Sequence, residues 1–178
     1  LPGLPLHGWW FKPFIFYKEN NLKGTILFLD LDIIIYNNMD KFWTYHPNKF
    51  LIIRDFTRHV NPQWDRFNSS VFRFEADQCY WIWEKFSKDS SKIMSRMHGD
   101  QDYLHSILGT QAIHWPDNWI QSYKWEMRSK LDLNIIHGKR NFIDDKPPKF
   151  IDGCSVAVFH GDPKPSDSKD KWVIEHWK

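Results

Sequence analysis

Two aspartates directly follow an apolar segment in the first part of the chain. Asp30 and Asp32 come after the run Thr25–Leu29, which has the composition of a buried β-strand. Residues two apart on a strand point the same way, so both carboxylates can reach one ion. Carboxylate oxygens suit a Mg²⁺ or Mn²⁺ ion that also binds phosphate oxygens. The pair therefore predicts a divalent-cation site, with a solvated pair of side chains at a turn as the alternative.

A second polar cluster follows another apolar segment late in the chain. Residues 155–159 are apolar apart from Ser155, and His160, Gly161 and Lys164 come soon after them. Imidazole can ligate a metal, glycine lets the backbone approach a ligand, and lysine supplies a positive charge for phosphate. The cluster predicts a loop that binds a metal or a phosphate, and a tight surface turn is the alternative.

Two shorter polar segments lie between these clusters. Asp100 and Gln101 begin a predicted helix that ends at Gly109, and Asn68 and Ser69 precede a predicted strand. Taken alone, both segments fit local structural roles, because aspartate caps helices and short polar residues are common where strands begin.

Predicted strands and helices alternate around these motifs. The strands are expected at 25–29, 33–36, 50–53, 70–74 and 155–159, and the helices at 75–86, at 100–108 and, capped by Asn38, around Phe42 and Trp43. Alternation of the two element types predicts the α/β class. The continuous apolar run at 25–29 predicts a buried strand in a mostly parallel sheet.

Composition excludes several classes of protein. The 178 residues carry 24 Lys and Arg against 22 Asp and Glu, a formal charge of +2. That balance gives no electrostatic reason to expect a nucleic-acid partner, and no apolar run is long enough to span a bilayer. Two cysteines, Cys79 and Cys154, cannot build a disulfide scaffold or a four-cysteine zinc site. We therefore expect one ordinary cytoplasmic domain, unusual only in its 11 tryptophans.

The four polar motifs together resemble those of the GT-A glycosyltransferases. In order they are Asp-x-Asp, Asn-Ser-Ser-Val, Asp-Gln-Asp and Gly-x-x-Lys-Pro, the order of the glycogenin-like and bacterial lipooligosaccharide galactosyltransferase group. Residues 9–12, 122–125 and 175–177 look like a smaller bacterial and phage-borne set of such enzymes. The resemblance runs from about Gly8 to Trp177 and implies a GT-A-like fold, a mixed sheet flanked by helices.

The resemblance implies which residues would hold the donor. Asp30 and Asp32 match the motif that holds a divalent metal, Mn²⁺ or Mg²⁺, on the diphosphate of a nucleotide sugar. Gly161 and Lys164 match the motif that contacts the diphosphate, and Lys124 would also bind the donor.

The resemblance also implies a sugar pocket. Asn68 and Ser69 match the residues that line the acceptor or donor-sugar pocket, and Trp10 would bind substrate there. Asp100 and Gln101 match the pair beside the transferred sugar and would be catalytic.

One position departs from the pattern. The larger family has His-x-x-Gly-x-x-Lys-Pro, whereas Val158 stands at the histidine position here and His160 is adjacent to the glycine. We expect His160 to be the candidate third metal ligand.

The function that follows is transfer of a hexose from a nucleotide-diphosphate sugar, expected to be a UDP-sugar, to an acceptor. One alternative is a haloacid-dehalogenase-like phosphatase, which also has an apolar strand before Asp-x-Asp and for which Lys139 and residues 142–145 would supply the later lysine and acidic pair. Another is an inactive transferase-like or carbohydrate-binding protein, which the many tryptophans favour.

The position of the Asp-x-Asp motif indicates a partial domain. Only 29 residues precede Asp30, whereas GT-A folds normally place the strands of the nucleotide-binding part before this motif. We expect residues 1–178 to be a single catalytic-type domain without those strands, ending in a tail at 166–178. Because the first residue is leucine, we also expect the sequence to be a piece of a longer protein.

Overall fold

A computed structural model describes residues 3–128 and 147–177, in which seven short strands form two sheets. The strands are β1 (Thr25–Leu29), β2 (Ile33–Ile35), β3 (Phe50–Arg54), β4 (Phe67–Glu75), β5 (Ala112–His114), β6 (Ile120–Ser122) and β7 (Val156–Val158). The first sheet has the order β1-β4-β3-β5 and the second has the order β2-β7-β6.

Helices and helical turns surround the sheets. The α-helices are α1 (Lys41–Thr44), α2 (Tyr80–Lys88), α3 (Ser90–Arg96), α4 (Asp100–Leu108) and α5 (Lys171–His176). The 3-10 segments are Gly8–Phe16, Lys18–Asn20, Phe56–His59, Ala76–Gln78, Gly109–Gln111 and Pro165–Asp167, and Tyr123–Met127 is a π-helical turn. Within the described ranges, none of the helices combines the length and apolarity needed to span a bilayer.

This architecture confirms the predicted α/β class with mixed sheets. Each predicted strand is present, and helix α4 has the predicted bounds. The helix predicted at 75–86 begins as a 3-10 turn and becomes α-helical at Tyr80. The three-residue strands β5 and β6, helices α3 and α5 and the long 3-10 segment Gly8–Phe16 were not predicted from the sequence.

The expectation of a mostly parallel sheet is wrong. Strand β1 is an edge strand that pairs antiparallel with β4, and only the pairs β3–β5 and β6–β7 are parallel among the described strands. The apolar run in β1 has another cause. Ile26 and Phe28 pack against one hydrophobic cluster, and Leu27 and Leu29 pack against another on the opposite face. Thr25 is exposed and the other four residues are half-buried, so the expectation of a buried strand is also wrong. Apolar contacts on both faces account for the apolar run, whichever direction the neighbouring strand runs.

Strand β4 lies between β1 and β3 in the larger sheet, and all but the last of its nine residues are buried. Aromatic rings fill the space on one of its faces. The ring of Phe16 lies 4.7 Å from that of Phe74, and the ring of Phe28 stacks on that of Phe72 at 4.6 Å. The high aromatic content of the sequence is thus largely a property of the core.

Arg73 is an exception within this strand, because it is a charged residue with no exposed surface. Its guanidinium donates hydrogen bonds to the carbonyl oxygens of Phe42, Tyr45 and His46 at 2.5, 2.7 and 2.6 Å. Burial lowers the pKa of this guanidinium. The side chain therefore fastens helix α1 and the turn after it to the sheet.

Arg73→Met is expected to lower the free energy of unfolding by about 3 kcal/mol, since the three carbonyl groups lose a charged donor inside the protein. Urea denaturation measures this loss. Lys88→Met removes a cation from the exposed end of α2 and is expected to change stability by less than about 0.5 kcal/mol. Equal effects of the two substitutions would contradict the role given to Arg73.

Candidate active site

The ammonium group of Lys12 lies at the centre of a cluster of carboxylates. Its Nζ is 3.0 Å from both carboxylate oxygens of Asp30 and 3.4 Å from Oδ2 of Asp100. It also donates to the hydroxyl and the carbonyl oxygen of Ser69 at 3.0 and 3.1 Å. The Lys12 side chain is only 11% exposed, so its charge is balanced largely by these groups rather than by water.

Strand pairing brings the members of this cluster together. Leu29 at the end of β1 lies opposite Val71 of β4, and the next residue, Asp30, donates its backbone N–H to the carbonyl oxygen of Ser70 at 2.8 Å. The start of β4 therefore lies beside the end of β1. Lys12 reaches the same place from the 3-10 segment Gly8–Phe16.

Helix α4 contributes Asp100, which is its first residue and is 4% exposed. The hydroxyl of Ser69 donates to Oδ2 of Asp100 at 2.6 Å. A carboxylate is favourable at a helix N-terminus because the backbone dipoles leave partial positive charge there. Asp100 is thus a buried carboxylate with a cation and a hydroxyl donor as its partners.

The electrostatics of Asp30 reflect two opposing effects. Burial raises the pKa of its carboxyl group above the ordinary value, and the charge of Lys12 lowers it by less. The neighbouring carboxylates of Asp32 and Asp100 raise the pKa further. Adding positive charge beside Asp30 would therefore stabilise its ionised form.

A second lysine meets the other aspartate of the motif. Nζ of Lys164 lies 2.5 Å from Oδ2 of Asp32, with side chains that are 44% and 26% exposed. The backbone joins the same two regions, because the N–H of Phe159 donates to the carbonyl oxygen of Asp32 at 2.9 Å. The structure thus brings together the two motifs that the sequence places more than 120 residues apart.

Gly161 leaves room for the ammonium group of Lys124. Gly161 has φ of +70°, and a Cβ atom at this position would lie 2.8 Å from Nζ of Lys124. A side chain here would both strain the backbone and displace that ammonium group. Lys124 also donates to the carbonyl oxygen of Asp162 at 3.3 Å, so it lies beside the predicted phosphate loop.

Two cavities meet at the lysine–aspartate pairs, and Trp9, Lys12, Asp30 and Asp32 line both. We call the first, of about 320 Å³, the polar cavity; its other walls include the predicted residues Asn68, Ser69, Asp100, Gln101, His160 and Gly161. We call the second, of about 540 Å³, the aromatic cavity; its other walls are Leu31, Lys164, Pro165, Ser166 and Trp177.

Trp10 is the predicted site residue that the structure places elsewhere. It is 2% exposed and stacks on Phe86 at 5.8 Å in the hydrophobic core, where it lines neither cavity. The structure thus places Trp10 in the core rather than on a cavity wall, and its predicted role in substrate binding stays a prediction. Its neighbour Trp9 is 59% exposed and lines both cavities, because successive side chains leave a helical turn in different directions.

The cavity walls include residues that were not among the predicted site residues, notably Trp9, Lys12 and Trp177. All three belong to segments that resemble known transferases, but no motif assigns any of them a function. The sequence hints at Lys12 only through its position, because it follows three aromatic residues and precedes the Asp-x-Asp motif. Its meaning depends on contacts with Ser69 and Asp100, which only the fold reveals.

The site offers a divalent metal two carboxylates rather than a complete set of protein ligands. Among the described residues, no group of three or more His, Cys, Asp or Glu side chains is arranged to hold a metal ion. His160 instead contacts the hydroxyl of Ser122 through Nε2 at 2.7 Å and stacks on Phe56. Two carboxylates fit Mg²⁺ or Mn²⁺ when phosphate oxygens and water complete the ligand set. Asp30 and Asp32 could hold a metal in that manner.

The raised pKa of Asp30 has a consequence for stability. Between the ordinary value, 3.8, and the higher value in the folded protein, the folded state retains a proton that the unfolded chain releases. The free energy of unfolding of the wild type, relative to Asp30→Asn, is therefore expected to fall as the pH rises through this interval. Urea denaturation of both proteins at a series of pH values measures it. A relative stability that rises over the same interval would contradict this, because it would show that the charge of Lys12 lowers the pKa of Asp30 by more than burial raises it.

Comparison with known proteins gives structural matches only. None of the family models and none of the curated proteins matches the sequence significantly. Among solved structures, an active-site mutant of LgtC matches with a TM-score of 0.58 and 13% identity, over 85% of this chain and 59% of that one. A second structure of LgtC, described as a galactosyltransferase, is a complex with donor and acceptor sugar analogues.

Two further glycosyltransferases match over most of this chain. GlyE from Streptococcus pneumoniae TIGR4 has a TM-score of 0.61 and 17% identity, covering 94% of this chain and 43% of GlyE. The bifunctional glycosyltransferase WbbM has a TM-score of 0.60 and 13% identity, covering 96% of this chain and 36% of WbbM. The chain spans less than two thirds of each of these proteins. Its fold is the GT-A-like glycosyltransferase fold that the order of its motifs predicts.

Proposed function

We propose that this protein is a metal-dependent glycosyltransferase that transfers a hexose from a nucleotide-diphosphate sugar to an acceptor. The observation that carries the proposal is the pairing of Asp30 with Lys12 and of Asp32 with Lys164 where two cavities meet. Carboxylates for a cation and ammonium groups for phosphate oxygens are the two kinds of group that a diphosphate needs. The resemblance of the motifs favours a UDP-sugar as the donor.

The reaction breaks the bond between the sugar and the diphosphate, so negative charge develops on the departing phosphate oxygens. Lys164 lines the aromatic cavity with its ammonium group and can donate to those oxygens as the charge appears. A divalent metal held by Asp30 and Asp32 would supply further positive charge to the leaving group. Because Lys12 already neutralises part of the carboxylate charge, the site can admit an anion.

The sugar becomes electron-deficient at its anomeric carbon as the bond breaks. Asp100 and Gln101 line the polar cavity and offer carboxylate and amide oxygens that can stabilise that positive charge. Asp100 is held in place by Ser69 and Lys12, so its orientation is fixed before substrate binds. Asn68 and Ser69 lie on the same cavity and can bind sugar hydroxyl groups.

The phosphatase alternative gains no support from the described residues. Lys139 and residues 142–145, on which it depends, lie outside them. We expect no turnover of p-nitrophenyl phosphate. A binding protein without catalytic activity would retain sugar binding and lack donor hydrolysis, so a turnover assay separates it from the transferase.

A donor-hydrolysis screen tests the proposed function. The chain is incubated with UDP-, GDP- and CDP-sugars, each with and without Mn²⁺, and release of the nucleoside diphosphate is measured. We expect release from a UDP-sugar that Mn²⁺ increases. The absence of release from every donor would overturn the proposal.

Asp30→Ala and Asp32→Ala are each expected to reduce donor turnover by about 100- to 1,000-fold, because the leaving group loses its electrostatic stabilisation. Circular dichroism checks that each variant stays folded. Asp152→Ala removes an exposed aspartate outside both cavities and is expected to leave turnover unchanged. Full activity of either motif variant would contradict the role given to the pair.

A further inference from the structure

The two cavities differ in the chemistry of their walls. The polar cavity presents hydroxyl, amide and carboxylate groups, from Asn68, Ser69, Asp100 and Gln101. The aromatic cavity presents mainly apolar surface, from Trp9, Leu31, Pro165 and Trp177. A ligand that fills both must therefore have one end rich in hydrogen-bonding groups and one end with flat or apolar surface.

Several large apolar side chains around the aromatic cavity are exposed. Trp9 is 59% exposed, Trp177 is 42% exposed, and Leu31, which lies between the two motif aspartates, is 95% exposed. Exposed apolar residues gathered at one cavity indicate a binding surface, whereas single ones need no explanation. The structure places these three around the same opening.

The indole of Trp9 lies against the backbone at the start of helix α4. A Cβ atom at Gly99 would lie 3.2 Å from Nε1 of Trp9 and 3.3 Å from its Cδ1, closer than side chains ordinarily approach. The glycine thus lets the ring lie against the backbone while its remaining surface faces the cavities. Trp9 is a preformed aromatic surface beside the lysine–aspartate pairs.

A nucleotide sugar has the two kinds of end that the two cavities require, one flat and one rich in hydroxyl groups. It is linear, with a base and ribose at one end, a diphosphate in the middle and a sugar at the other end. The diphosphate belongs beside the wall that both cavities share, where Lys12 pairs with Asp30 and, on the side of the aromatic cavity, Lys164 pairs with Asp32. The two ends then lie in different cavities. A planar base stacks favourably on indole, and sugar hydroxyls need polar partners.

We propose that the aromatic cavity is the nucleoside subsite, in which Trp9 and Trp177 bind the base and ribose of the donor. The polar cavity then takes the transferred sugar. The larger volume of the aromatic cavity, about 540 against about 320 Å³, agrees with this orientation because a nucleoside is larger than a hexosyl group. The assignment rests on the proposed function, since it concerns the donor of that reaction.

Calorimetric titration with UDP, GDP, CDP, ADP and inorganic pyrophosphate at constant Mn²⁺ tests the subsite. Trp9→Ala and Trp177→Ala are each expected to weaken binding of the tightest nucleoside diphosphate by about 5- to 150-fold, the range for one base stacked on an aromatic ring. Binding of pyrophosphate is expected to be unchanged. Trp9→Phe and Trp177→Phe are expected to restore most of the nucleotide affinity, because phenylalanine retains an aromatic face.

Trp43→Ala is the matched control, since Trp43 is 49% exposed and lines neither cavity. It is expected to leave every affinity unchanged. Unchanged nucleotide affinity in both cavity variants would overturn the assignment. So would an equal loss for pyrophosphate, which would place the effect of the tryptophans on the diphosphate rather than on the base.

The outcomes separate this inference from the proposed function. Nucleotide binding that depends on Trp9 and Trp177, without turnover of any donor, would support the subsite and overturn the transferase. Turnover that persists with unchanged nucleotide affinity in the tryptophan variants would support the transferase and overturn the subsite. A wild type that binds no nucleoside diphosphate would overturn both.

Discussion

The arrangement of the site depends on one buried cation. Lys12 joins Asp30, Ser69 and Asp100, which come from three segments that are distant in the sequence. Burying carboxylates without a cation or hydrogen-bond donors is costly. Breaking such a buried pair leaves an uncompensated charge, which destabilises a protein far more than the loss of a surface pair. The ammonium group of Lys12 therefore holds three segments together: the end of β1, the start of β4 and the start of α4.

The aromatic core holds Lys12 in position to serve this role. Its own segment, Gly8–Phe16, buries Trp10 against Phe86 and Phe16 against Phe74. Trp9 and Lys12 face the cavities from the same short segment. Packing on one side of a 3-10 segment thus orients the charged and aromatic groups on the other. The same short segment contributes both to the core and to the walls of the two cavities.

Part of this organisation could be predicted from the sequence. The Asp-x-Asp pair follows an apolar run, helix α4 begins at Asp100 and ends before Gly109, and the glycine–lysine motif follows a strand. These features are local, because a strand, a helix cap and a turn are each determined by neighbouring residues. The order of the motifs then indicated the fold, and the structural matches agree with it.

The rest depends on contacts between distant residues. No periodicity distinguishes the buried Trp10 from the exposed Trp9, since a nine-residue 3-10 segment gives no regular pattern. Strands β5 and β6 have three residues each, too few to be recognised by alternation. The antiparallel direction of β1 also has no local signal. The role of Lys12 could not be inferred for the same reason, because its partners are brought to it by strand pairing and by α4.

We propose that the lysine–aspartate pairs bind the diphosphate of a nucleotide sugar, with the two ends of the donor in the two cavities. A crystal structure of the chain grown with Mn²⁺ and a non-hydrolysable nucleotide sugar would test this proposal. We expect diphosphate density between Lys164 and the carboxylates of Asp30 and Asp32, with the base beside Trp9 and Trp177 and the sugar beside Gln101. A nucleotide bound away from these pairs, or bound with its base in the polar cavity, would contradict it.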